Sequence, residues 1–239
     1  LLFMVSMGFR YTEAKPEKDG RYHLPALKGW SISIDRNGAI CSMQKVGRVL
    51  ADESHRMAGF SYEVFSREEY AGFLKNYQTC DAQWAYEDFD KIGMEKAISH
   101  YQEYLPQVTS VWHSDKAVAI RMALPEEAVR LYGGMRELET VLCLEEHRIL
   151  VDFAWWGKEA TRVAEGSWLA FGVPEKVTGI RKLGSRIDPG NVVLHGNRRM
   201  HATDGAVSFE TISVEPLDSP LVSVGERALL KFPDTAANL

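Results

Sequence analysis

Cysteine, long apolar runs and basic stripes are all scarce in this sequence, and each scarcity excludes a class of protein. The only cysteines among the 239 residues are Cys41, Cys80 and Cys143, which are widely spaced and form no Cys-x-x-Cys pair. An odd number of dispersed cysteines is typical of a reducing compartment rather than of a secreted disulfide framework, which predicts a cytoplasmic location. No apolar run approaches the roughly 20 residues that a membrane-spanning helix needs, so we expect no membrane partner.

The charge balance argues against nucleic acid as a partner. The chain carries 28 Lys and Arg against 33 Asp and Glu, a net charge of −5. One basic cluster runs from Arg181 to Arg199, where Arg181, Lys182, Arg186, Arg198 and Arg199 stand with the single acid Asp188. No aromatic residue interleaves this cluster, as single-strand binding would require. We interpret it as a surface that docks another part of the protein.

The sequence also lacks every common catalytic signature. It has no G-x-S-x-G, no P-loop, no H-E-x-x-H and no G-x-G-x-x-G after a strand. His195, His201 and Asp204 are spaced more loosely than the ligands of strong metal sites, so we expect no metal and no cofactor in this chain. Two other roles remain open for these residues, namely polar positions in a loop or at a sheet edge, and hydrogen bonding to sugar hydroxyls.

What the sequence does contain is a hydrophobic period of two. Trp30, Ile32 and Ile34 alternate with polar residues, and Asn37-Gly38 follows as a strong hairpin signal, because both residues tolerate φ > 0. About fourteen such segments predict an all-β sandwich or barrel of two large antiparallel sheets. The later predicted strands include Leu138–Leu144, Ile149–Trp155, Trp168–Val173, Lys176–Lys182, Asn191–Leu194, Ala206–Val214, Leu221–Val224 and Ala228–Phe232.

Two segments depart from this period and predict helices. Ser66 with Glu69 forms a capping box before the apolar spacing of residues 67–78. Pro125–Tyr132 begins with Pro at the first helical position and stops at Gly133. The first helix opens an irregular excursion over about 66–106.

No linker or repeat divides the chain, so we expect a single domain over 1–239. Leu1–Phe9 does not begin with Met, lacks the basic region of a signal peptide and is strand-like from its first residue. We therefore expect this chain to be a fragment of a longer protein.

Adjacent tryptophans end one of the predicted strands. Trp155 continues the face of Phe153 and is predicted to be core, whereas Trp156 points to the opposite face, where its indole would offer a platform for a pyranose ring or lie buried under the excursion. Trp168 begins the next strand after a connection over 157–166, which predicts that the two strands lie side by side.

Several segments taken together resemble one protein family. The set resembles the C-terminal β region of a bacterial and fungal family of uncharacterised α-mannosidase-like proteins, related to the family-38 glycoside hydrolases and catalogued as a domain of unknown function. The resemblance covers residues 28–232. The segments are Trp30–Ile40, Ala58–Tyr70, Trp84–Phe89, Leu131–Glu137, Gly166–Phe171, Arg199–Asp204 and Leu217–Leu221.

The resemblance implies a specific organisation. Full-length relatives carry an N-terminal catalytic domain, which in family-38 enzymes holds a zinc ion and a carboxylate nucleophile, followed by a supersandwich like that of galactose mutarotase. This chain would be the supersandwich alone, with the catalytic domain as its partner. It lacks the Arg-Tyr-Tyr type of motif of true family-38 enzymes. Where relatives usually have Leu-Pro-Glu, this sequence has Val163-Ala164-Glu165, so only the glutamate is kept.

These observations predict a non-catalytic domain of a glycoside hydrolase-like protein that contacts carbohydrate weakly or braces the catalytic domain. Two alternatives stay open. A mutarotase-like epimerase would use His201 with Glu165 or Glu210 as an acid–base pair, and a pure interaction module would have no aromatic-lined groove. The candidate carbohydrate-binding residues are Trp156, Glu165, Trp168, His201 and Asp204.

Overall fold

Antiparallel strands dominate this chain, as the alternation predicts. The computed structural model describes residues 11–77, 100–189 and 200–225. Strands make up 48% of the structure and helices 8%, so the prediction of an all-β sandwich is confirmed. The finer likeness to the galactose mutarotase supersandwich stays a prediction. The strands predicted at Leu1–Phe9, Asn191–Leu194 and Ala228–Phe232 lie outside the described residues, as do His195 and most of the predicted excursion.

The elements have the following bounds. In chain order they are β1 (Thr12–Ala14), β2 (Tyr22–His23), β3 (Trp30–Ile34), β4 (Ile40–Lys45), β5 (Arg48–Ala51), β6 (Met57–Val64), α1 (Arg67–Tyr77), β7 (Gln102–Tyr104), β8 (Gln107–His113), β9 (Ala117–Ala123), α2 (Glu126–Tyr132), β10 (Glu137–Leu144), β11 (Ile149–Trp156), β12 (Glu165–Phe171), β13 (Gly179–Lys182), β14 (Ser185–Ile187), β15 (Met200–Ala202), β16 (Val207–Ser208), β17 (Ser213–Val214) and β18 (Leu221–Ser223). No helix in the described part of the chain is long and apolar enough to cross a membrane.

The described residues divide into two compact units, each built from separate stretches of chain. The first unit holds residues 11–64, 102–161 and 165–174, and the second holds 65–77, 100–101, 162–164, 175–189 and 200–225. This division does not test whether the chain folds as one domain, so the single domain over 1–239 stays a prediction.

The first unit contains the two large sheets. One sheet has the order β1-β8-β9-β10-β11, and the other has the order β12-β6-β4-β3-β2, with β5 added beside β4 and β7 beside β6. The rings of Phe60 on β6 and Phe153 on β11 stack with centroids 4.8 Å apart, which identifies the faces that the two sheets turn towards each other. We call these the inner faces. Burial of their apolar side chains is the main stabilising term of the sandwich.

Buried rows on the inner faces follow the predicted alternation. Ile32 and Ile34 on β3, with Leu138 and Leu142 on β10, are at most 1% exposed. Strand β6 is an exception, because Ser61 and Glu63 on its other face are buried as well as its inner row. A strand that is buried on both faces shows no alternation of apolar and polar residues.

The predicted hairpin at Asn37-Gly38 is confirmed, although its turn is not the type I′ turn that Asn-Gly favours. Gly38 N–H donates to the Asp35 carbonyl at 3.0 Å, and Asp35 N–H donates to the Ala39 carbonyl at 2.9 Å. Of the two turn residues only Gly38 has a positive φ (87°), which indicates a type I turn with a glycine bulge rather than type I′. A Cβ at Gly38 would also force the Met122 side chain to move.

Both predicted helices are present. Ser66 N–H donates to Glu69 Oε2 at 2.9 Å and Glu69 N–H donates to Ser66 Oγ at 3.2 Å, which confirms the capping box of α1. Pro125 is the N-cap residue of α2, so the helix begins at Glu126, one residue later than predicted. Gly133 ends α2 with a left-handed φ of 63°.

The second unit contains smaller sheets. Strands β14-β13-β16-β17 form one of them, and β15 pairs with β18. The single strand predicted over Ala206–Val214 is wrong. The chain reverses between β16 and β17, where Phe209 N–H donates to the Ile212 carbonyl at 2.9 Å, so the segment is a hairpin.

We expect Leu142→Asp to unfold the sandwich. Leu142 is fully buried on β10, between β9 and β11, so the substitution places an unpaired charge in the core. The loss should be several kcal/mol, against total stabilities of about 5–15 kcal/mol for typical domains. Thermal unfolding followed by circular dichroism measures it, with Leu150→Asp on the partly exposed outer face of β11 as the control. An unchanged melting midpoint would mean that the assignment of faces is inverted.

The hairpin between β4 and β5 offers a stabilising substitution. Val46 and Gly47 both have positive φ (48° and 76°), as in a type I′ turn, and Val46 is 91% exposed. A β-branched residue is strained in this region of φ, whereas asparagine is favoured there. Val46→Asn should therefore stabilise the fold by up to about 1 kcal/mol. The melting midpoint should rise for Val46→Asn and not for Val49→Asn, which puts the same change into β5; a rise in both would contradict this explanation.

Candidate functional site

The five residues predicted to contact sugar fall into both units. Trp156, Glu165 and Trp168 belong to the first unit, and His201 and Asp204 belong to the second. On β12, Glu165 lies opposite Val64 and Trp168 lies opposite Ser61. Residues three apart on a strand point to opposite faces, so the structure does not bring Glu165 and Trp168 together.

The predicted side-by-side arrangement of the strands carrying Trp156 and Trp168 is wrong. Strand β11 pairs with β10 in one sheet, whereas β12 pairs with β6 in the other. Trp168 points away from the inner face, and its indole N–H donates to Glu63 Oε2 at 2.9 Å. Glu63 is 1% exposed, so this bond satisfies a buried carboxylate.

The two tryptophans that end β11 point to opposite faces of the sheet but are equally exposed. Trp155 lies opposite Leu138 in the inner row, and its ring centroid is 5.9 Å from that of Phe153. Trp156 lies opposite Glu137 and points outward, as predicted. The exposures of Trp155 and Trp156 are 49% and 50%. The prediction that Trp155 is core is therefore wrong in burial though right in direction, because β11 is the edge strand of its sheet among the described residues.

Glu165 is the centre of a polar group on the inner face. The Tyr62 hydroxyl donates a short hydrogen bond to Glu165 Oε2 and lies 3.2 Å from the Tyr132 carbonyl oxygen. Lys158 Nζ is 3.0 Å from Glu165 Oε1, and the two side chains are 23% and 25% exposed. Glu165 is thus held from two sides and still reaches solvent.

Two further tyrosines extend this group. The Tyr104 ring is 6.4 Å from Tyr62 and 6.2 Å from Tyr132, and the Tyr104 hydroxyl donates to Glu127 Oε1 at 2.9 Å. We call the whole set the tyrosine–carboxylate cluster. Its members are Tyr62, Tyr104, Glu127, Tyr132, Lys158 and Glu165.

Backbone contacts fix the connection that supplies Lys158. Glu159 N–H donates to the Gly133 carbonyl at 2.9 Å, just beyond the end of α2. A Cβ at Gly133 would lie 2.9 Å from the Glu159 carbonyl oxygen, so only glycine allows the connection to approach this closely. The same glycine ends α2 after Tyr132, so the helix end and Lys158 are positioned together.

The electrostatics of the cluster keep its tyrosines protonated. Burial raises the pKa of Tyr62 well above its ordinary value of 10, and the hydrogen bond to the Glu165 carboxylate raises this pKa further. Burial and the bond to Glu127 raise the pKa of Tyr104 in the same direction. Both hydroxyls therefore stay hydrogen-bond donors at neutral pH.

In the second unit, the predicted residues have structural contacts of their own. His201 is 7% exposed on β15, opposite Val222. Asp204 Oδ2 accepts a hydrogen bond from Gly184 N–H at 2.6 Å, and Asp204 Oδ1 lies 3.7 Å from Arg181 Nε. Over the described ranges, no group of three or more His, Cys, Asp and Glu side chains is arranged to hold a metal ion.

Sequence reasoning missed the residues that hold Glu165. Tyr62 lies 103 residues upstream of Glu165, and Tyr104 lies in another strand of the same sheet. Lys158 lies in a loop, so no local spacing joins these residues to Glu165. The available signal was the presence of Tyr62 within the segment Ala58–Tyr70, one of those on which the resemblance rests.

The family model described as Domain of unknown function (DUF5054) matches residues 13–149, more than half of the chain. The chain belongs to this family. No curated protein matches the chain. The link to the family-38 glycoside hydrolases stays a prediction. Within the tyrosine–carboxylate cluster, the DUF5054 match includes Tyr62, Tyr104, Glu127 and Tyr132, and it ends before Lys158 and Glu165.

Alkaline unfolding should report on the raised pKa of Tyr62. Between the unfolded pKa near 10 and the higher folded pKa, the folded state holds a proton that the unfolded state has lost. The free energy of unfolding therefore falls as pH rises, by about 1.4 kcal/mol per pH unit for each such group. In Tyr62→Phe the fall above about pH 10 should be shallower. Denaturant titrations at a series of pH values measure it, and identical slopes in the two proteins would contradict the assignment.

Proposed function

We propose that this chain is a non-catalytic domain that contacts carbohydrate at the tyrosine–carboxylate cluster, with the Trp155 indole of the facing sheet as the stacking surface. The observation that carries the proposal is the position of Glu165. Its carboxylate is fixed by Tyr62 and Lys158, is a quarter exposed, and lies on the inner face of its sheet, while Trp155 lies on the inner face of the other sheet.

The chemistry of the cluster favours a neutral polyhydroxylated ligand. Each oxygen of Glu165 has an additional lone pair that can accept a hydrogen bond from a sugar hydroxyl, and within the cluster Lys158 adds a donor and Glu127 an acceptor. The apolar face of a pyranose packs against an indole, and Trp155 is half-exposed. A few convergent polar groups beside an aromatic surface are typical of small-ligand sites.

The proposal extends to the place of this domain in its parent. The parent would be an α-mannosidase-like glycoside hydrolase, with the catalytic domain as the partner of this chain. The outward residues Leu150 (37% exposed) and Trp156 support a bracing contact with that domain, separate from the sugar site. Contact with sugar at Trp156, Trp168, His201 or Asp204 stays a prediction.

Titration of mannose and short mannosides, followed by tryptophan fluorescence, tests the proposal. We expect saturable binding at about the millimolar level, or ~4 kcal/mol. Glu165→Gln should weaken the binding about tenfold, because it removes a charged acceptor while keeping the shape of the side chain. Glu146→Gln makes the same change of charge at the tip of the β10–β11 hairpin, where the side chain is 85% exposed, and should leave the affinity unchanged.

Trp155→Ala and Trp156→Ala form a matched pair, since the two indoles are equally exposed on opposite faces of β11. Because alanine removes a tryptophan, these variants are compared by calorimetry. Loss of binding in Trp155→Ala alone supports the proposed site. Loss in Trp156→Ala alone would move the sugar to the outer face, and the absence of saturable binding with every sugar would leave only the bracing role.

A further inference from the structure

Strand β11 presents a row of main-chain groups on the side that faces away from β10. Glu145 N–H donates to the Arg148 carbonyl at 3.0 Å, in the hairpin that leads into β11. Opposite residues of an antiparallel pair alternate between exchanging both main-chain bonds and exchanging none. From this hairpin onward, the residues at even-numbered positions of β11 therefore bond to β10. At the far end Arg136 N–H donates to the Trp156 carbonyl at 2.9 Å, which agrees with this alternation.

The residues at odd-numbered positions direct their main-chain groups to the other side of β11. They are Ile149, Val151, Phe153 and Trp155, the same residues whose side chains form the inner row. No strand in the described part of the chain pairs with this side. The N–H and carbonyl groups of these residues can therefore bond to a further strand.

The other outermost strands of the two large sheets are protected against such pairing. Natural sheets protect their edges with short strands, bulges, lysine or proline. Strands β1, β2, β5 and β7 are two to four residues long, and the register of β12 shifts between Ala170 and Phe171. Strand β11 pairs with β10 over eight residues without a shift, and it contains no lysine, proline or glycine. Among the strands described, β11 is thus the edge that is fit to receive a partner.

We infer that β11 is a dimerisation edge, at which a second copy of this chain pairs antiparallel with the first. Two copies related by a twofold axis present the same surface to each other, so β11 must match its own sequence read in reverse. With Phe153 at the axis, Val151 lies opposite Trp155 of the second copy, a favourable pair of a β-branched and an aromatic residue. In the same register Leu150 lies opposite Trp156, and both are exposed in the single chain.

The single charge of β11 favours this register. With Phe153 at the axis, Asp152 lies opposite the small Ala154 of the second copy. Moving the axis to Asp152 would place the two carboxylates opposite each other, in a non-hydrogen-bonded pair, where side chains are closest. Moving it to Val151 would leave Trp156 beyond the end of the partner strand.

The inferred dimer is separate from the proposed sugar site. Edge pairing extends a sheet in its own plane, so the inner and outer faces keep their directions. The pairing uses no side chain of the tyrosine–carboxylate cluster.

Sedimentation velocity of the full chain tests the inference at concentrations from about 1 to about 300 µM. We expect a reversible change from the mass of one chain, 27.0 kDa, to twice that mass. The dissociation constant should lie in the micromolar range, because an interface made by one strand from each copy is small.

Ala154 offers a test of the register, because it is exposed on the outer face. Ala154→Glu should weaken the dimer about tenfold, since the twofold axis repeats its repulsion from Asp152 of the other copy. Ala154→Lys should tighten the dimer, and the double variant Asp152→Lys/Ala154→Glu should recover the affinity of the unaltered chain. Ala170→Glu makes the same change at an exposed alanine of β12 and should leave the affinity unchanged.

A mass that stays at 27.0 kDa over the whole concentration range would overturn the inference. So would a dimer that Ala154→Glu does not weaken, or that Ala170→Glu weakens equally, because the contact would then lie elsewhere or depend on net charge alone. Circular dichroism of each variant verifies that the fold is retained. If Ala154→Glu does not fold, Ala154→Lys still decides, since a dimer that it fails to tighten would contradict the register.

Discussion

The stacked rings of Phe60 and Phe153 set the direction of almost every side chain discussed for the first unit. They lie on β6 and β11, one from each large sheet, with centroids 4.8 Å apart. Because side chains alternate along a strand, one inward residue on each strand fixes all the others. Tyr62 and Trp155 must then point inward, and Glu63 and Trp156 outward, whatever their chemistry.

This constraint explains why the alternation pattern predicts some strands and not others. Strand β3 places apolar residues on one face and serines on the other, and the pattern is visible in the sequence. Strand β6 is buried on both faces, with Ser61 and Glu63 on the outer side, so no period appears. Alternation of apolar and polar residues appears only where one face of a strand is buried and the other is exposed, and both faces of β6 are buried.

A local sequence pattern also does not show whether a strand lies at the edge of its sheet. Trp155 has the period of a core residue and the inward direction of one, but it lies on an edge strand and is 49% exposed. By contrast, the capping box of Ser66 and Glu69 and the left-handed Gly133 need only contacts within a few residues, and both were predictable. Among the candidate site residues, the sequence could mark Glu165 as a polar position, whereas Tyr62 and Lys158 reach it only through the sheet and the loop that follows β11.

The boundary of the family match has a physical consequence for the candidate site. The DUF5054 region ends at residue 149, where β11 begins, yet β11 pairs with β10 along eight residues and supplies Phe153 to the core. The sandwich of the first unit therefore extends beyond the matched region. Tyr62 and Tyr104 lie within the match and are buried, and Glu127, which accepts from Tyr104, lies within it too. Glu165, the carboxylate that accepts from Tyr62, and its ion-pair partner Lys158 come from the segments after the match. The later segments therefore complete the polar arrangement around Tyr62 that the matched strands begin.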